Sequence, residues 1–190
     1  ACDLCFVPPV AEHFPESVLL TETDIGIIVL KGNPKKIRTL ADLAQKDLKV
    51  GLCNAEQSTL GFMTQGMLKS SAVFKAIRTN VVVEVPTADF LVNQMRVGAL
   101  DAAIVYEVNY QLQAEHLDWV PINHEGAKAV QPFAVREKSP NAQLAGRLLE
   151  HLLANRESFE ATGFHWTGDK GVVKSKDIKV PDWLLPQADE

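Results

Sequence analysis

Val81-Val82-Val83-Glu84-Val85-Pro86-Thr87-Ala88-Asp89-Phe90-Leu91-Val92-Asn93-Gln94-Met95-Arg96-Val97-Gly98-Ala99-Leu100-Asp101-Ala102-Ala103-Ile104-Val105-Tyr106 is the stretch on which the fold turns. Val81–Val85 is β-branched almost throughout and predicts a strand. Thr87 is placed to cap a helix from about Ala88 to Val97, with Leu91 and Met95 on one face. Gly98 is a fitting C-terminal stop, and Asp101–Tyr106 predicts the next strand. The same rhythm runs upstream. Asp24–Lys31 is a short apolar run ended by Gly32-Asn33-Pro34, best read as a buried strand. Thr39-Leu40-Ala41-Asp42 resembles a capping box for a short helix carrying Leu40, Leu43 and Ala44. Leu48–Leu52 predicts a strand and Phe62–Lys69 a helix, with Leu60, Met63, Met67 and Leu68 at helical spacing. Strands alternating with helices predict an α/β fold with a parallel or mostly parallel sheet.

A second block begins near Leu117. Asp118–Ile122 and Ala129–Val135 predict strands, and Ser139-Pro140 predicts the start of a helix running to about Ala154, with Leu144, Leu148 and Leu152 at four-residue spacing. A short helix over Arg156–Thr162 follows, and the charged tail from Gly171 is expected to run over the surface. At the other end, Cys2–Val7 reads as a strand entering Pro8-Pro9, which puts Cys2 and Cys5 on opposite faces. The start is consistent with an upstream segment having been removed.

Composition bounds the function. Of 190 residues, 46% are apolar and 23% charged, which excludes disorder and fibre, and no apolar run approaches the roughly 20 residues that span a bilayer. The net charge of −5, without a basic block, argues against nucleic acid as a partner. Three cysteines close no disulfide framework, and the Cys2-x-x-Cys5 spacing lacks the second pair that zinc needs. The five histidines are scattered, Ser58 has no nucleophile elbow, and no phosphate-cradling glycine motif occurs, so neither an enzyme, a metal nor a cofactor is expected. His165-Trp166 and Trp183 read as packing residues.

Chemistry is expected at strand–helix junctions, where the first N–H groups of a helix have no internal partner and carry the positive end of its dipole. Two junctions stand out: Gly51–Gly61, with adjacent hydroxyls at Ser58 and Thr59, and Pro86–Asp89, with Thr87. Such loops hold oxyanions, and the same residues also serve plain helix capping. Tyr106, at a strand end, offers a phenol to a ligand or is an ordinary half-buried aromatic. Glu56 adds a negative charge to the first loop.

Gly32-Asn33-Pro34, Ile37–Ala44 and Leu48–Leu52 resemble the central lobe of periplasmic type II solute-binding proteins, and Val97–Tyr106 resembles a segment of the molybdate-binding proteins of ABC transporters. Ala1–Phe6 and Gly163-Phe164 extend the resemblance over nearly the whole chain. It implies two α/β lobes with mostly parallel sheets joined by crossover strands: residues 1–31 with 127–190, lacking the first two strand–helix units, and residues 32–126 with the return crossover. It implies a small oxyanion, molybdate- or tungstate-like, held in the interlobe cleft by Ser58, Thr59, Leu60, Thr87, Ala88 and Tyr106. It implies delivery to the membrane permease of an ABC transporter, a periplasmic or extracytoplasmic location, and no membrane insertion of its own. The same fold also serves as a ligand-sensing regulatory module, or as a member that no longer binds oxyanion.

Overall fold

A computed structural model describes residues 3–69 and 71–180. The elements are β1 (Glu16–Leu30), β2 (Val50–Cys53), α1 (Thr59–Lys69), α2 (Phe74–Asn80), β3 (Val81–Val85), α3 (Ala88–Arg96), β4 (Ala102–Tyr106), α4 (Glu107–Gln111), β5 (Leu117–Pro121), β6 (Lys128–Ala134), α5 (Ala142–Ala154), α6 (Arg156–Glu160), β7 (His165–Trp166) and β8 (Val172–Lys174). The chain forms two compact units. One comprises residues up to Thr23 with those from Ala129 onward, and the other comprises Asp24–Lys128.

In the Asp24–Lys128 unit the strand order is β3-β2-β4-β1-β5. β2 is parallel to β3 and to β4, as the strand–helix alternation predicts. The expectation of a mostly parallel sheet needs correction, because β1 is antiparallel to both β4 and β5 and the sheet is mixed. The cause lies between Leu30 and Val50, where the helix introduced by Thr39 is only a 3-10 helix, Leu40–Ala44. A parallel connection needs a crossover long enough to return the chain to the opposite edge. This one re-enters the sheet at the edge it left. The Thr39–Asp42 capping box itself forms as expected.

β1 is buried between its neighbours: Ile25, Ile27, Ile28 and Val29 are all 1% exposed or less. The helices complete the core with the apolar residues their spacing selected, Met63, Met67, Leu91 and Met95 among them. At the far end of β1, Asp118 ties it to β5, accepting from Gly32 N–H at 2.7 Å and lying 3.0 Å from Lys31 Nζ.

In the other unit, Glu16–Val18 and Thr21–Glu22 of β1 pair antiparallel with β8 and β7. Ser17 and Ser175 share a buried hydroxyl hydrogen bond of 2.8 Å, and Thr167 Oγ1 donates to Leu19 O at 2.7 Å. The tail beyond Gly171, expected on the surface, therefore contributes a strand and a short 3-10 helix, Ser175–Asp177.

The expected strand at the chain start is instead two 3-10 helices, Leu4–Phe6 and Pro8–Val10. Asp3 is the reason. Its carboxylate accepts from Cys5 N–H at 3.0 Å and from Val130 N–H at 2.7 Å, so it caps a turn. Pro8 then begins the second helix, where its missing N–H costs nothing. Cys2 and Trp183 lie outside the described residues. Cys5 and Cys53 are both buried. α5 starts at Ala142, after a turn in which Ser139 Oγ accepts from Asn141 N–H, and it buries no residue fully; Leu144 is 64% exposed. Among the described residues, no helix is long and apolar enough to cross a membrane.

Asp3 gives a direct test of this frame. Asp3→Ala strands two backbone donors, one of them on β6, and is expected to cost about 1–3 kcal/mol in urea unfolding. Asp3→Asn, which keeps an acceptor, is expected to cost less.

Candidate functional site

Parallel pairing of β3, β2 and β4 brings their carboxyl ends to one edge of the sheet, and each end feeds a helix. β2 lies between β3 and β4, so the chain leaves β2 toward one side and returns on the other. Ligands of open α/β sheets bind at such a reversal.

Specific bonds tie the β2 end to the β3 end and the start of α3 to α4. Asn54 N–H, just past β2, donates to Val85 O at the end of β3, 2.8 Å. Asn54 Oδ1 then accepts from Glu56 and Gln57 N–H at 2.9 and 3.1 Å, folding the loop into a compact turn. Asn109 Nδ2 on α4 donates to Asp89 Oδ1 in the first turn of α3, 3.2 Å. Gly61 permits the closest approach. A Cβ there would fall 2.3 Å from Asn54 O, so the first turn of α1 rests directly on the backbone of the preceding loop.

Ser58 caps α1: its Oγ accepts from Gly61 N–H at 3.4 Å and its carbonyl from Phe62 N–H at 2.9 Å. Thr59 and Leu60 are the first two residues of the helix, and helix geometry gives their N–H groups no intrahelical acceptor. The Leu60 side chain is in the core, so only its backbone faces the edge. Thr87 is exposed and N-terminal to α3, but its side chain makes no capping bond, contrary to the capping role its position suggested. Ala88 opens α3 with its methyl group buried. Tyr106 is half-buried, paired with Ile25, and precedes α4.

Cys53, the last residue of β2, was not among the expected site residues. Burial pushes its thiol up to about 11; a Ser58 hydrogen bond opposes the shift and the Asp89 carboxylate adds to it. The three helix starts carry carboxylates at Glu56, Asp89 and Glu107, and none of the segments 54–60, 86–90 and 106–109 contains a Lys, Arg or His. The edge thus offers neutral donors framed by acidic side chains.

The model of the bacterial extracellular solute-binding proteins matches residues 10–165. The chain belongs to that family. Solute binding, not catalysis, is the family's activity. A search of curated protein sequences gives no match. Among solved structures, the solute-binding protein is similar to PEB3 with L-phospholactate bound, at 18% identity and a TM-score of 0.63, over 86% of this chain and 75% of that one. PEB3 from Campylobacter jejuni aligns similarly, with a TM-score of 0.61. A substrate-binding domain assigned to a molybdenum ABC transporter of Clostridium difficile aligns at 18% identity and a TM-score of 0.59, over 80% and 66% of the two chains. At these identities the likeness is one of fold.

Two measurements check the geometry of this edge in the solute-binding protein. Gly61→Ala forces a methyl group into backbone atoms and is expected to lower unfolding stability by about 1–3 kcal/mol, read in urea. The Cys53 thiol stays protonated in the folded chain while the unfolded one ionises, so its stabilising contribution is complete below about pH 9 and lost as pH rises toward about 11. Cys53→Ala is therefore expected to flatten the alkaline limb of a stability–pH profile in that window.

Proposed function

We propose that this solute-binding protein captures a small oxyanion, of the molybdate, tungstate or phosphate kind, at the joined starts of α1 and α3. One observation supports the reading: the Asn54–Val85 hydrogen bond holds together the ends of β2 and β3, the strands that lead into α1 and α3, and N–H groups at two helix starts on one sheet edge suit an anion. The donors in this reading are Ser58 and Thr59, the Leu60 and Ala88 N–H groups, the uncommitted Thr87 hydroxyl, and Tyr106. Delivery to the permease of an ABC transporter outside the cytoplasm follows from the same reading. So does a type II binding-protein architecture in which further elements pack on α5, whose Leu144 and Leu148 stand exposed.

The carboxylates of Glu56, Asp89 and Glu107 favour a second reading, an ammonium-bearing solute such as an amino acid. A ligand at a hundred times its Kd stabilises the folded chain by about 2.7 kcal/mol. For a chain of this size each kcal/mol moves Tm by about 2–4 °C. Melting curves with molybdate, tungstate, sulfate, phosphate and L-phospholactate are expected to show such a rise for at least one anion. A rise with L-arginine alone selects the second reading. Glu56→Gln removes one opposing charge and is expected to strengthen anion binding about two- to threefold at low salt, as single exposed charges are worth under about 1 kcal/mol.

A further inference from the structure

The unit formed by residues up to Thr23 and from Ala129 onward is thinly cored. Among its described residues, Cys5, Val7, Val18, Leu20 and Ala129 are the buried apolar side chains, against six buried polar ones, Ser17, Thr21 and Ser175 among them. Apolar surface stands open instead around the start of β1. A cavity of about 420 Å³ is lined by Ala11, Glu12, Pro15, Glu16, Lys174 and Lys176. A groove of about 160 Å³ shares Pro15 and Glu16 with it and has Phe133, Leu149 and Val172 on its walls. Val172, on β8, is 61% exposed.

The chain past β8 is tied to this surface. Ser175 N–H donates to Pro15 O at 2.9 Å, and the 3-10 helix Ser175–Asp177 follows at once. Ten residues come after Val180: Pro181-Asp182-Trp183-Leu184-Leu185-Pro186-Gln187-Ala188-Asp189-Glu190. Lys176, on the cavity wall, precedes Trp183 by seven residues, at most about 25 Å of chain. That length is enough for the indole to return to the cavity.

Composition favours this segment as the occupant. Trp183, Leu184 and Leu185 form a contiguous apolar triplet, and Trp183 reads from the sequence as a packing residue. Asp182, Asp189 and Glu190 give the segment three carboxylates and no cation, a complement to the exposed Lys174 and Lys176. Lysine stems cover an indole while their ammonium groups stay in water, and the ammonium is attracted to the ring face.

We propose that residues 181–190 fold back over this surface of their own chain, with the Trp183 indole seated in the cavity between Pro15 and the two lysines and Leu184-Leu185 laid over the groove toward Val172. The segment adds the apolar cover that the unit's interior lacks, and its docking is independent of the solute. The test uses the 190-residue chain. Trp183→Ala is expected to lower Tm by about 4–8 °C. Val172→Glu alters an exposed position, where substitutions ordinarily change stability little. With the segment seated there, it is expected to lower Tm by about 2–4 °C, and the double variant is expected to lose less than the sum of the two. The emission that Trp183→Phe removes is expected to resist acrylamide quenching in the folded chain and to lose that protection in urea. Emission quenched as freely in the folded chain as in urea, with Tm unmoved by Trp183→Ala, overturns the proposal. So does additivity of Trp183→Ala with Val172→Glu, which puts the indole elsewhere. A dimer that Val172→Glu dissociates and Trp183→Ala leaves intact overturns it in favour of a second copy as the cover.

Discussion

The half of β1 from Ile25 to Leu30, hydrogen-bonded to β4 on one side and β5 on the other, holds the rest of the Asp24–Lys128 unit in place. Its four aliphatic side chains in the core each stabilise the fold by about 1.5–3 kcal/mol relative to exposure. Residues 25–29 are buried on both faces of the sheet, so register here rests on cross-strand fit, above all that of Gly26 beneath Trp119. The register has a functional consequence. It sets Tyr106 and Pro121 at the same end of the sheet on either side of β1 and gathers the carboxyl ends of β2, β3, β4 and β5 on one edge, together with the Asp24 end of β1. It also sets Gly26 beneath Trp119, where a Cβ would collide with the indole.

Electrostatics at that edge run against a simple charge-matching view of anion capture. The chain carries a net charge of −5, and the segments at the three helix starts add carboxylates without cations. Attraction for an anion must come from oriented N–H groups and hydroxyls, which act at contact distance and discriminate by geometry. The surrounding carboxylates penalise any anion that does not reach those donors, and they accept hydrogen bonds from a ligand that carries hydroxyls.

Sequence periodicity was a reliable guide where burial is one-sided or complete. The strand Val81–Val85, the helix from Ala88 and the strand to Tyr106 lie within a residue or two of their expected bounds, and Gly98 takes the positive φ of +71° that a helix stop demands. It was a poor guide where tertiary contacts set the conformation. The first half of β1 mixes Glu16, Ser17, Thr21, Glu22 and Thr23 into its apolar residues and lacks a clean alternation, because Ser17 and Thr21 are buried with their hydroxyls bonded to Ser175 and to the Gln131 amide oxygen. α2 shows no apolar stripe, since Ile77 is its one fully buried residue. Asp3 looked like part of a strand because the Val130 N–H that it holds is 127 residues away. For the candidate site, the helix-start residues were visible as junction chemistry. The close approach of Trp119 to Gly26 was not legible, because it exists only through the β1–β5 register.

Backbone amide shifts under titration address the central claim most directly. On adding inorganic phosphate or molybdate, the account predicts that the amides of Thr59, Leu60, Ala88 and Asp89 move furthest, together and with one apparent Kd. Saturable binding that leaves these four amides in place, or no binding of either anion, would contradict it.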